Sequence, residues 1–351
     1  MTFIIDTVNA QFDEEIKAKI DGKTKPIGAL GQLETVAKNL ARVQGMITNQ
    51  VDSIVINCPH LIIFAGDHGV AAEGVSIAPS EVTGQMVANF AHGGAAINIF
   101  CRQLGWQLSV VDAGILNEPA LELNVINQRL GHITQSLQKA PAMTLATVTQ
   151  GFALADQLIQ QTKNNGSNLV AFGEMGIGNT TSASAIMAAI MQLPVEETVG
   201  KGTGISDEVV LKKQQVVKQA LALHSDKLSD PMQILACLGG FEVVQITGAM
   251  LSAAQEKMHI LVDGFICTAA AMVAIKINPA VKDYMIFAHC SGEQGHKKML
   301  QWLNVEPLLN LGLRLGEGTG GALALPLVQA AVAFYNDMAS FEQASVTNVV
   351  E

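Results

Sequence analysis

Five short apolar runs punctuate the chain: Leu61–Phe64, Leu108–Val111, Leu169–Phe172, Ile260–Val262 and Met285–Ala288. They do not alternate with polar residues, and longer amphipathic stretches separate them. Strands buried on both faces read this way. Strands separated by helical stretches predict an α/β fold, a parallel sheet covered by helices on both faces. The residues just after each run are as constraining. The first run ends in Gly66-Asp67-His68-Gly69, the second in Asp112-Ala113-Gly114, the third in Gly173-Glu174-Met175-Gly176. The fourth ends in Asp263-Gly264 and the fifth in His289-Cys290-Ser291-Gly292-Glu293. In open parallel sheets, ligands bind outside the carboxyl ends of the strands. A single Gly-Asp after a strand is an ordinary turn. Five such ends predict one crevice.

Composition narrows the class. Apolar residues make up 49% of the 351 residues, charged residues only 15%, aromatics 5%, and there are 32 glycines. A chain so apolar is not disordered. The net charge of −10 argues against nucleic acid as a partner, because phosphate backbones are held by clustered Lys and Arg. Mean hydropathy is +0.31, so a membrane span must be tested. A span needs about 18 uninterrupted apolar residues. Ile260–Ile275 is broken by Asp263, and Ala322–Tyr335 by Pro326 and Gln329. Acids arrive early (Asp6, Asp13, Glu14, Glu15), so no secretory leader is expected. The five cysteines are scattered and lack CxxC spacing. Buried, reduced thiols in a cytoplasmic protein are expected. Near the start, Leu30, Leu33, Val36, Ala37, Leu40 and Val43 recur at helical spacing, with Lys25-Pro26 as the expected helix entrance. Thr319–Met338 reads as a second apolar helix.

Three glycine clusters carry chemistry. The first, Gly173–Ser182, has the form G-x-x-G-x-G-N-T-T-S between a strand and a helix. Asn179, Thr180 and Thr181 are good N-cap residues, and free N–H groups there suit an anion. Neither the P-loop nor the dinucleotide fingerprint is met. Phosphate binding and a plain tight turn both remain open on spacing alone. The second cluster, Gly200–Gly204, precedes a helix start at Ser206-Asp207-Glu208, with Lys212 and Lys213 beyond it. Two glycine-rich anion sites and a lysine suit a phosphoribosyl group, and Lys212 reads as a solvated surface lysine. The third, Arg314–Gly321, surrounds Glu317 with glycines. Helix-dipole complementarity explains a glutamate there but not four glycines. Glycine on both sides would let a ligand reach Glu317. Glu174 has a similar setting, and two carboxylates in glycine loops suit general acid/base work.

Other residues carry less. Asp67-His68 lacks a further ligand at recognisable spacing, so no metal is expected. His92 and His289 read as hydrogen-bonded loop or core histidines. Ser291 lies outside any G-x-S-x-G elbow and is not read as a nucleophile. The 14 methionines suit core filling, with Met86 and Met175 close to the proposed site.

Taken together, these clusters resemble the nicotinate-nucleotide–dimethylbenzimidazole phosphoribosyltransferase family of the cobalamin pathway. The resemblance covers nearly the whole chain. It rests on Phe64–Val70 with Glu73–Ser76, Gly173–Thr181, Gly239-Gly240-Phe241-Glu242, Leu261–Phe265 and Arg314–Gly318. It implies a Rossmann-like parallel six-stranded sheet in a large domain, residues 57–327. A small helical domain would form from both chain ends, residues 1–56 and 328–351. A homodimer is implied whose partner helps close the site.

The implied reaction moves phosphoribosyl from nicotinate mononucleotide to 5,6-dimethylbenzimidazole. Nicotinate leaves, and α-ribazole 5′-phosphate forms with inversion at the anomeric carbon. By resemblance Glu317 is the general base and Glu174 supports it near the ribose. Gly176, Gly178, Asn179, Thr180, Gly202, Lys213 and Ser291 are placed at the nucleotide and phosphate. Pro79, Ser80, Gln85, Met86, Met175 and Leu315 are placed at the base pocket. The Ser76–Met86 segment departs from the family pattern: Ala78 and Met86 stand where some relatives carry serine and glutamine, with Gln85 alongside. A pyridinium leaves as a neutral ring, so one base suffices and no cofactor or metal is implied. Two competing readings are a non-catalytic nucleotide-binding protein on the same fold and a metal-dependent hydrolase using Asp67 and His68.

Overall fold

The computed structural model describes residues 2–200 and 206–348. Six strands, β1 (His60–Gly66), β2 (Gln107–Gly114), β3 (Ile126–Asn127), β4 (Leu169–Met175), β5 (His259–Val262) and β6 (Met285–Phe287), form one sheet. Their order is β3-β2-β1-β4-β5-β6 and every pairing is parallel. The five apolar runs mark five of these strands, the last running one residue past the end of β6. Two-residue β3 closes the edge beyond β2 and has no apolar run to mark it.

Side-chain alternation assigns the strands to two cores. Leu61, Ile63 and Ala65 of β1 face one layer of helices, with Leu169, Ala171, Leu261 and Ile286 beside them. Ile62 and Phe64 face the other layer, with Val170, Phe172, Ile260 and Val262. The second layer holds the helices Phe241–Gln255 and Phe265–Ile277. Both are apolar on nearly every side and almost wholly buried, as helices enclosed within a large core must be. The chain winds outward from β1 to β3, then returns to place β4 beside β1. The switch point therefore falls between β1 and β4, where such folds open a crevice at the strands' carboxyl ends.

Both chain ends contribute to the first layer. The helices Asp13–Asp21, Gln32–Thr48 and Thr319–Asp337 pack together there. Tyr335 Oη donates to the Val51 carbonyl at 2.6 Å, and Trp106 Nε1 to that of Ala322 at 3.2 Å. The expected entrance at Lys25-Pro26 opens a turn instead, and the helix begins at Gln32. Gly28 and Gly31 take positive φ (73° and 54°), which a right-handed helix cannot contain. All five cysteines are free, but they are not all buried: Cys58 is exposed and Cys290 half-buried. Among the described residues, no helix is long and apolar enough to cross a membrane.

Candidate active site

A cleft of about 230 Å³ opens at the carboxyl ends of β4, β5 and β6. Glu174, Met175, Gly176, Asn179 and Thr180 reach it from the end of β4 and the helix Asn179–Met191. Asp263 reaches it from β5, His289 and Ser291 from β6, and Leu315 and Glu317 from the approach to Thr319–Asp337. Met86, on the helix Glu81–His92, closes one wall. The other strand ends do not line it. The Asp112 carboxylate is held by Arg129 at 2.5 Å. Gly66-Asp67-His68 lies behind the glycine loop, where a Cβ on Gly176 would meet the Gly66 carbonyl oxygen at 2.2 Å. The crevice thus takes three of the five expected strand ends, not all five.

Glu317 sits in an unusual backbone. Gly316, Glu317 and Gly318 are all left-handed, with φ of 84°, 63° and 83°. A non-glycine residue there is uncommon, and three in a row require glycine on both sides. A Cβ on Gly316 would lie 2.2 Å from Glu174 Oε1, and one on Gly318 3.0 Å from Leu61. The flanking glycines therefore serve backbone shape and close packing, and the places of their missing side chains are filled by protein rather than open to a ligand. Glu317 as a whole is only 6% exposed and lines the cleft. Burial, aided by the nearby Asp263 charge, pushes it up to about 7.

Asp263 organises this end. Its Oδ2 accepts from Gly318 N at 3.2 Å and its Oδ1 from Gly321 N at 2.9 Å. It thereby caps the helix Thr319–Asp337 from another strand, since Gly318 has no side chain with which to do so. His289 Nδ1 lies 3.5 Å from Asp263 Oδ1. Gly320 leaves the room for that ring: a Cβ there would fall 1.8 Å from Nδ1.

The β4 loop is built differently from its expected capping. The N-cap is Gly178, at φ 99°, a conformation only glycine adopts freely. Asn179 and Thr180, released from capping, make other bonds. Asn179 Nδ2 donates to Glu174 Oε2. Thr180 Oγ1 accepts from Lys213 Nζ at 2.7 Å. Burial holds Glu174 well above the carboxylate range, with the Asp263, Glu242 and Glu317 charges adding to it and the Asn179 bond opposing. Lys213 is buried in the helix Asp207–Leu223, and burial lowers it to about 8 against the opposing charge of Glu293. Lys212 is exposed, as expected.

The architecture is that of known proteins. A phosphoribosyltransferase family model matches residues 5–346. A nicotinate-nucleotide–dimethylbenzimidazole phosphoribosyltransferase of Shewanella sp. (strain ANA-3) is 60% identical over 99% of this chain and 98% of its own. The chain belongs to the nicotinate-nucleotide–dimethylbenzimidazole phosphoribosyltransferase family. The enzyme of that name from Pseudoalteromonas translucida is also 60% identical, over 99% of this chain and 100% of its own. The crystal structure of CobT from Thermus thermophilus superposes with a TM-score of 0.90 at 39% identity, covering 95% of this chain and 98% of that one.

Not every residue placed by the family resemblance lines the cleft. Ser80 is the N-cap residue of Glu81–His92, Pro79 precedes it and Gln85 lies on that helix. Lys213 reaches the site through Thr180, and Gly178 through the helix terminus. Gly202 lies outside the described residues, as does the rest of its cluster beyond Gly200. Ser291 lines the cleft, but its Oγ donates to the Leu313 carbonyl at 3.2 Å and its N–H to His296 Nδ1 at 2.8 Å. His296 Nε2, 2.9 Å from Thr268 Oγ1, therefore carries the proton. Asp67 and His68 take separate partners: Thr83 and the Leu116 N–H for Asp67, Glu242 for His68 at 2.6 Å. Among the described residues, no group of three or more His, Cys, Asp or Glu could hold a metal ion.

Sequence reasoning assigned no role to Asp263, His296 or Thr83. Asp263 stands in a strand-end Asp-Gly pair, a signal that locates it without its role. His296 and Thr83 have no local signal, because their partners are far away in the chain.

Proposed function

We propose that this protein transfers the phosphoribosyl group of nicotinate mononucleotide to 5,6-dimethylbenzimidazole, releasing nicotinate and forming α-ribazole 5′-phosphate for the cobalamin lower ligand. The observation that carries the mechanism is Glu317, a buried carboxyl at the cleft with its proton affinity raised to about 7. A general base works best when its pKa lies near the operating pH. One imidazole nitrogen attacks the anomeric carbon while Glu317 takes the proton from the other. The C–N bond to the pyridinium breaks, and its electron pair leaves with nicotinate as a neutral ring. No acid is needed at the leaving group.

Glu174, oriented by Asn179, serves the ribose. Thr180, Gly176, Gly178, Gly202, Ser291 and Lys213 serve the phosphate, with the ammonium of Lys213 as the cation. Met86, Met175 and Leu315 form the apolar wall for the acceptor, with Pro79, Ser80 and Gln85 at its entrance. The helices from both chain ends are read as a small domain, residues 1–56 and 328–351, beside a large one, residues 57–327. A cytoplasmic homodimer completes the reading.

Incubation with nicotinate mononucleotide and dimethylbenzimidazole, then chromatography, tests it. Acceptor-dependent nicotinate release that persists with a chelator supports the transferase. Binding without turnover would leave a nucleotide-binding protein, and acceptor-independent release a hydrolase.

A further inference from the structure

We propose that Thr83 is a positioning residue that locks the acceptor wall to the nucleotide loop, so that the two substrate subsites are placed as one unit. This inference rests on the functional reading above. Thr83 lies in the first turn of Glu81–His92 and has no exposed surface. Its hydroxyl donates to Asp67 Oδ1 at 2.7 Å and accepts from Ile177 N at 3.1 Å. A hydroxyl has one proton and two lone pairs, so it makes both bonds at once. Valine, of the same shape, makes neither.

The two bonds join three parts of the site. Asp67 follows β1, and its other oxygen accepts from Leu116 N at 2.7 Å, beyond β2. Ile177 is the middle residue of the Gly176–Gly178 turn that leads into Asn179 and Thr180. Met86 stands three residues after Thr83, on the same side of its helix, and lines the cleft beside Met175 and Ile177. Gly176 and Gly178 already press against Gly66 and His68. The loop is thus seated on β1 by contact and pinned to the acceptor helix through the Thr83 hydroxyl. Since Thr83 is fully buried, it touches neither substrate, and its effect on both must pass through placement.

Steady-state kinetics with both substrates varied, on Thr83→Val and Thr83→Ser, tests the role. In Thr83→Val the KM values for nicotinate mononucleotide and for dimethylbenzimidazole both rise roughly tenfold, the scale of one buried hydrogen bond, and kcat falls. Thr83→Ser restores all three to near wild type. The role of Thr83 is overturned if Thr83→Val changes only one KM or neither, or if Thr83→Ser is as impaired. Should Thr83→Val not fold, Asp67→Asn, which disturbs the same relay from its other end, must show the same paired rise. Wild-type protein that releases no nicotinate refutes the functional reading instead.

Discussion

Gly316 and Glu174 interlock: the space a side chain on Gly316 would fill is occupied by the Glu174 carboxyl, 2.2 Å from the ideal Cβ position. Two acids that repel one another are therefore packed around a backbone turn with no spare volume. Gly316→Ala meets both this clash and a left-handed φ of 84°. Each such defect costs on the order of 1–3 kcal/mol. Thermal unfolding of this variant should begin well below wild type, with turnover reduced at least tenfold. A variant with unchanged Tm and turnover would show that the turn relaxes freely.

Glu317 makes a two-sided prediction. As a base it acts when deprotonated, so the acid limb of kcat/KM should rise through pH 7, following its value of about 7. Glu317→Ala should lose turnover by roughly 10²–10⁴-fold while nucleotide binding stays near normal. Stability moves the other way. The folded carboxyl holds its proton more tightly than the unfolded one, so stability is lost as pH rises from the ordinary carboxylate range through 7. Glu317→Gln should accordingly be the more stable protein at pH 8, by on the order of 1–3 kcal/mol. Denaturant melts at pH 5 and pH 8 check the sign, for the gain should shrink at the lower pH.

Much of this was legible from residue patterns, and the limits have physical causes. Strands buried on both faces announce themselves as apolar runs, so β1, β2, β4, β5 and β6 were visible. Edge strand β3 buries little and was not. Glu317 stood out because glycines surround it. Yet the role of those glycines was misread: they hold a left-handed turn and admit Glu174 and Leu61, contacts that no local pattern encodes. Thr83 and Asp67 are 16 residues apart, and Thr83 and Ile177 are 94 apart. Such bonds exist only once the sheet has brought their elements together.

Lys213 sets the alkaline side. Burial lowers its ammonium to about 8, and only the protonated form attracts phosphate. Nicotinate mononucleotide should bind progressively more weakly as pH rises past 8, while acceptor binding stays flat. Lys213→Met should raise the nucleotide KM by roughly 10–100-fold, the loss of one charge-assisted contact, and abolish this alkaline limb. Calorimetric titration from pH 6.5 to pH 9.5 distinguishes the two curves. A limb that survives in the variant must come from another group.

The acceptor wall is apolar and adaptable. Met86, Met175 and Leu315 supply it, and thioether chains adjust to different shapes. Met86→Ala should raise the KM for dimethylbenzimidazole roughly tenfold, about 1–3 kcal/mol of lost contact, and leave that for nicotinate mononucleotide unchanged. An equal effect on both substrates would place Met86 at the shared reaction centre rather than on the acceptor side.

Asp263 should tune the base without touching the bond that breaks. Its two oxygens hold the Gly318 and Gly321 N–H groups, and its charge raises Glu317. Asparagine has one carbonyl oxygen and cannot satisfy both donors as two carboxylate oxygens do, but it removes the charge. Without that repulsion Glu317 deprotonates more readily. The acid limb of the kcat/KM profile in Asp263→Asn should therefore move below pH 7, whatever the loss in maximal rate. Asp263→Ala leaves both N–H groups without their partner, and should fall further in turnover and stability than Asp263→Asn. A pH profile whose acid limb stays in place in Asp263→Asn would reduce Asp263 to a helix cap with no electrostatic hold on the base.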